Sequence, residues 1–243
     1  MKLRLHSERL VIIVARKKVV FVIVEGPSDD GALGVLLYRI YDKNLVFLKI
    51  MRGDITTEKG VNENVIVSKI GNVVRQYAKE NHFTKDDFQE IIHIVDTDGA
   101  FVTNDAVIED SSAVKPSYSL TEIRTANKVG IERRNEQKSN NLNRLIGQKD
   151  IWNIPYRILY MSCNLDHVLF DKQNSTKEEK EQDSLRFAIC YRDRVPEFIK
   201  FIKESNFSVN LDYQNSWNYI KSERHSLERH SNFGLCLPTI LMD

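Results

Sequence analysis

The stretch Val19-Val20-Phe21-Val22-Ile23-Val24-Glu25-Gly26-Pro27-Ser28-Asp29-Asp30 decides how the rest of the chain is read. Six consecutive apolar residues, most of them β-branched, predict a strand covered on both faces, as in a parallel sheet. The run stops at Glu25-Gly26-Pro27, which forces a turn at the strand's carboxyl end. Ser28 is placed to cap a helix over about residues 29–41, with Asp29 and Asp30 beside its positive N-terminus. Open α/β sheets bind ligands at the carboxyl ends of their strands, so Glu25 is poised to face a site.

A second stretch echoes the first. Ile91-Ile92-His93-Ile94-Val95 predicts another short strand, and it ends in Asp96-Thr97-Asp98-Gly99. Alternation along an extended chain would send the side chains of Asp96 and Asp98 to the same side, about 7 Å apart. Two carboxylates so placed suit a hard cation, and magnesium typically takes one or two of them plus water and substrate phosphate. If the two strands are neighbours, Glu25 joins the pair. His93, inside the apolar run, reads as a core or supporting histidine.

The intervening chain alternates in the same manner. Asn44 to Ile50 predicts a strand, a polar loop with Gly53 and Asp54 follows, and Val65, Ile66, Ile70, Val73, Val74 and Tyr77 recur at helical spacing over about residues 62–81. The order β-α-β-α-β implies a mostly parallel sheet flanked by helices. Leu10 to Val14 is a further candidate strand, forming either a hairpin with residues 19–24 or a separate edge strand.

Beyond Phe101 the pattern weakens. Ser111, Ser112, Pro116, Ser117 and Ser119 mark a loop, and a polar helix is expected over about residues 132–146. Its neighbourhood carries Lys128, Arg133, Arg134, Lys138, Arg144 and Lys149, the most basic part of the chain. Such a run reads either as a solvated face or as a phosphate-contacting surface. Pro155 to Met161 predicts another strand, ending in Ser162-Cys163-Asn164-Leu165-Asp166-His167. Residues 171–183 are highly charged without apolar periodicity, an exposed loop or helix start. A helix follows at about 194–205. The echo Ser222-Glu223-Arg224-His225-Ser226 and Leu227-Glu228-Arg229-His230-Ser231 is too short for a structural repeat. His225 and His230, five apart, do not share a helix face, so metal binding is not expected there.

The 243 residues suffice for one large α/β domain: residues 1–170 with a polar insertion at about 101–150, then a helical extension over 171–243 packed on it. Hydrophobic content of 42% and charged content of 28% fit a globular chain rather than a disordered or fibrous one. Lysine and arginine number 35 against 34 acidic residues, so only a local patch can argue for nucleic acid. Cys163, Cys190 and Cys236 are too dispersed for a metal knot and read as free thiols of a reducing compartment. The basic start lacks a small-residue cleavage site, and no apolar run reaches the roughly 20 residues that span a bilayer, so a cytoplasmic protein without membrane contact is expected.

Glu25-Gly26-Pro27-Ser28-Asp29 after one hydrophobic strand, and Asp96-Thr97-Asp98 after another about 70 residues later, resemble the two motifs of the Toprim domain. That domain is shared by topoisomerases, primases and OLD-type nucleases. The likeness is closest to the OLD and RloB-like nucleases, whose first motif reads glutamate-glycine-x-Ser/Thr-acidic, with Asp29 in the acidic place. Cys163 to Leu169 loosely resembles a later asparagine-containing, acidic motif of the RloB-like group. Position 100 is Ala, where topoisomerase and primase versions commonly continue with glutamate. No Gly-x-x-x-x-Gly-Lys-Ser/Thr ATPase motif is present. The resemblance spans roughly residues 19–170.

The resemblance implies a Toprim-like, Rossmann-like α/β fold and a metal-dependent endonuclease acting on DNA or RNA, with antiviral defence as a setting. In that reading Asp96 and Asp98 bind Mg²⁺ or Mn²⁺, and Glu25 completes the shell or acts as general acid/base. Asp29 holds a second ion, and Asp166 orients a ligand or a basic group. Arg133, Arg134 and Lys138 contact phosphates. A regulatory or ATPase partner and the oligomeric state are left open. Two alternatives stand beside it: a small maturase-like Toprim ribonuclease, and a non-catalytic nucleic-acid or protein interaction module.

Overall fold

The computed structural model describes residues 18–41 and 46–238. The apolar run forms strand β1 (Lys18–Val24), buried on both faces from Val19 onward. Helix α1 (Pro27–Ile40) follows, then strand β2 (Val46–Arg52), helix α2 (Ile66–Glu80) and strand β3 (Phe88–Asp96). After an insertion come helix α3 (Lys128–Ile146), a two-residue strand β7 (Asp150–Ile151) and strand β8 (Ile154–Met161). The order across the sheet is β2-β1-β3-β8-β7. All pairings are parallel except β7 with β8. The fold is therefore α/β, with a mostly parallel sheet flanked by helices.

Both edges of β1 are occupied, by β2 and β3. The candidate strand Leu10 to Val14 itself lies outside the described residues. Alternation along β1 divides the interior in two. Val19, Phe21 and Ile23 point to one core, with α2, α3 and helix α7 (Tyr213–Lys221) packed over it. Val20, Val22 and Val24 point to the other, covered by α1, α4 (Leu165–Phe170), α5 (Lys177–Tyr191) and α6 (Val195–Glu204).

Several local expectations change. Gly26, not Ser28, is the N-cap of α1, because Pro27 takes the first helical position with its φ already set for the helix. The polar insertion contains strands β4 (Val107–Glu109), β5 (Ser117–Tyr118), which falls within the expected loop, and β6 (Ile123–Thr125), and they form a separate small sheet in the order β4-β6-β5. Strands of two or three residues are too short to show alternation, so the serine and proline content dominated the reading. The basic helix starts at Lys128, four residues early, because Asn127 caps it by accepting from the Gly130 N–H at 2.9 Å. The charged segment becomes α5 once Thr176 and Glu179 close a capping box. No helix among the described residues is long and apolar enough to cross a membrane.

Candidate metal centre

The parallel sheet delivers three strand ends to one edge. Glu25 directly follows β1, Asp54 lies two residues beyond β2, and Asp98 lies two beyond β3. Carboxylate oxygens of these three residues fall within 4.8 Å of one another. Between them sits the ammonium of Lys138, whose side chain is fully buried. Its Nζ lies 3.1 Å from Glu25 Oε1 and 3.9 Å from Asp54 Oδ2, and it also donates to Asp98 Oδ2.

The Glu25 and Asp54 carboxylates have tethers besides that lysine, and Asp98 is held through its backbone. Glu25 Oε1 accepts from the Asp96 N–H at 3.1 Å. Asp54 Oδ1 accepts from the Thr56 N–H at 3.0 Å and the Thr56 hydroxyl at 2.6 Å, and Thr57 donates to the same carboxylate. The Asp54 loop is held in turn by α3, where Asn141 Nδ2 donates to Thr56 O at 2.8 Å and Gln137 Nε2 to Val61 O at 2.8 Å. Asp98 takes φ +49, a left-handed conformation that aspartate tolerates better than most residues. Its N–H donates to Cys163 O at 2.8 Å, and its carbonyl accepts from Arg134 Nη2 at 2.8 Å. A loop near the carboxyl terminus secures the same edge: Ser226 O accepts from Thr97 Oγ1 at 2.9 Å and from the Cys163 N–H at 3.0 Å.

The site residues expected from the sequence divide into two groups. Glu25 and Asp98 belong to the three-carboxylate group, but Asp96 does not. The chain leaves the extended conformation after Asp96, so strand alternation no longer applies at Asp98. Asp96 Oδ1 accepts from the Leu165 N–H at 2.9 Å instead. Asp29 is committed locally, its Oδ2 accepting from the Gly26 N–H at 2.8 Å. Asp166 is buried and pairs with Lys180 Nζ at 2.9 Å. Asp29, Asp166 and Lys180 thus form a second charged group beside Asp96 rather than part of the first.

The basic residues are also redistributed. Lys138, expected on a phosphate-contacting surface, is instead buried, its ammonium paired with the converging carboxylates. Arg134, one turn before it on α3, is an internal brace, donating to the Tyr118 hydroxyl at 2.6 Å as well as to Asp98 O. Arg133 is exposed. His93 is fully buried, with Nδ1 2.9 Å from the Tyr156 hydroxyl. Asp54, a loop residue by sequence, joins the group unexpectedly, although its place just past a parallel strand's carboxyl end is the available signal.

Electrostatics mark a surplus of negative charge. Burial pushes the Glu25 carboxyl up to about 8; Lys138 opposes the rise, while Asp54 and Asp98 add to it. Burial, then Glu25, Asp29 and Asp98, raise Asp96 well above the usual carboxylate range. Burial acts in the same sense on Asp54, but Lys138 and the two threonines outweigh it and hold that carboxyl below its ordinary value. Burial alone would discharge Lys138, yet Asp98, Glu25 and Asp54 keep it charged. One internal cation does not balance the group.

This surplus has a consequence for stability. Native Glu25 keeps its proton up to about pH 8, whereas the unfolded side chain loses it near 4.5. The native state therefore binds more protons in that window, and stability falls as pH rises through it. His93 and His167, lowered by burial to about 3 and about 4, and His230, also lowered, act in the opposite sense, but their contribution fades above the ordinary histidine value of about 6.5, and Glu25 prevails above about pH 7. Between about pH 7 and 8 the metal-free protein is expected to lose thermal stability, and Mg²⁺ to reduce that loss. Thermal melts in EDTA that stay level or climb over this range would contradict the charge assignment.

No family model matches the chain, and neither does any curated protein or solved structure. The chemistry rests on the residues. Three hard oxygen donors at a strand-end edge, with net negative charge left over, fit a divalent cation such as Mg²⁺ or Mn²⁺.

Proposed function

We propose that this chain is a metal-dependent phosphodiesterase of Toprim type that cleaves DNA or RNA. The observation that carries the reading is the meeting of Glu25, Asp54 and Asp98, from three adjacent parallel strands, within 4.8 Å. Glu25 and Asp98 come from the two motifs that resemble the Toprim pair.

In this reading Glu25, Asp54 and Asp98 hold the ion. A bound divalent cation lowers the pKa of a coordinated water and neutralises charge on the scissile phosphate. Asp96, beside Glu25 and with its carboxyl raised well above the usual range, is the group suited to carry a proton to or from the reacting oxygens. Arg134 keeps the Asp98 turn fixed through the carbonyl of that residue. Exposed Arg133, on the same helix, is the side chain available to substrate phosphates.

A second reading is favoured by Lys138 alone. Its ammonium already reaches all three carboxylates, so the network could be a structural ion-pair cluster in an interaction module. The two readings separate in one experiment. Purified protein is incubated with plasmid, single-stranded DNA and total RNA, in Mg²⁺, Mn²⁺ or EDTA. The nuclease reading expects metal-dependent cutting of at least one substrate, reduced at least 100-fold in Glu25→Gln. Cutting that persists in EDTA or in that variant would refute the assigned centre.

A further inference from the structure

Lys138 occupies the place a metal ion would need. Its Nζ is 3.1 Å from Glu25, 3.9 Å from Asp54 and in direct hydrogen-bond contact with Asp98. These are the same three side chains whose oxygens lie close enough to converge on one cation. Ligand oxygens sit about 2.0–2.1 Å from Mg²⁺, so an ion binding all three must stand where the ammonium now stands or in contact with it. Two cations that close, among carboxylates that are only 12–29% exposed, repel each other.

Two of the three carboxylates have partners besides Lys138, and the third residue is held through its backbone. Glu25 is tied to the Asp96 N–H, Asp54 to Thr56 and Thr57, and the Asp98 backbone to Cys163 and Arg134. The lysine therefore neutralises a cage that other contacts build. It is also the one member of the cluster on a flexible four-carbon stem, able to leave without moving a strand. The remaining polar contacts of α3 near the cage, through Arg134, Gln137 and Asn141, anchor the helix independently.

Resting on the metal reading above, we propose that the Lys138 ammonium and a divalent cation are alternative occupants of the Glu25–Asp54–Asp98 cage. In the metal-free state the lysine serves as an internal counter-ion, and loading the centre displaces it from Glu25 and Asp98. Metal affinity is then set by competition with the chain's own side chain. The centre stays closed at low metal and loads only when the ion outcompetes the lysine.

The test is Mn²⁺ binding to the wild-type chain and to Lys138→Met and Lys138→Gln, measured by calorimetry and by the loss of free-Mn²⁺ electron paramagnetic resonance signal. Both variants, checked for folding by circular dichroism, are expected to bind Mn²⁺ at least tenfold more tightly than wild type. Wild-type binding with equal or weaker affinity in the folded variants would overturn the competition and leave the metal centre standing. Absence of Mn²⁺ binding in all three proteins would overturn both. Should neither variant fold, the wild type decides: the ¹⁵N resonance of the Lys138 ammonium is followed during a Mg²⁺ titration. Its loss or large shift at saturation is the expected outcome, and an unchanged resonance would refute displacement.

Discussion

Asp98→Asn is expected to lower divalent-metal affinity at least 100-fold and to remove metal-dependent cleavage while the protein stays folded. The asparagine keeps the size of the side chain and tolerates the left-handed backbone at φ +49, where alanine would add about 1–2 kcal/mol of strain. It removes one of the three carboxylates of the proposed metal centre, and a 100-fold loss corresponds to about 2.7 kcal/mol of binding energy. The stability effect is smaller because two consequences oppose each other. Lys138 loses a charged partner, but Glu25 and Asp96 lose a repelling neighbour. Calorimetric Mn²⁺ titration beside a thermal melt checks both parts. Collapse of the fold with affinity intact in the residual native fraction would show that Asp98 is structural.

Trp217→Ala carries the largest expected stability effect, about 3–5 kcal/mol, which is a large share of the roughly 5–15 kcal/mol available to a domain. The indole is fully buried, stands edge-on to Tyr160 with ring centroids 4.9 Å apart, and donates Nε1–H to Ile158 O at 3.3 Å. Removing it empties the space between α7 and β8 and leaves that arrangement without its centre. A shift of the denaturant midpoint measures the loss. A change below about 1 kcal/mol would mean that α7 is not part of the cooperative core.

Trp217 also shows where the sequence was under-read. Tyr213, Trp217 and Ile220 repeat at spacings of four and three, a helical stripe, yet the run is only nine residues long and lies among polar ones. By contrast, β1, β3 and β8 were legible because buried parallel strands are continuous apolar blocks bounded by polar turns. The insertion was illegible for the opposite reason: β4, β5 and β6 gain their order from pairing with one another, not from a pattern within any one of them.

The candidate site was legible in part. Glu25 and Asp98 stood out because an acidic residue after an apolar block is visible in one dimension. Asp54 carried the same signal more weakly, beyond a strand ending in charged and glycine residues. Helical spacing puts Lys138, unlike Arg133, on the stripe of Ile131, Leu142 and Leu145, but burial of an ammonium there is decided by which carboxylates the sheet brings opposite α3. The divergence of Asp96 from Asp98 likewise follows from one left-handed residue, which strand alternation cannot foresee.

The most direct test is the anomalous difference map of crystals grown or soaked in Mn²⁺. The expected result is a peak bounded by Glu25, Asp54 and Asp98, with the Lys138 ammonium moved off the three carboxylates. A map at saturating Mn²⁺ with Lys138 still seated in the cage and no peak beside it would contradict the assignment of this edge of the sheet as a metal centre.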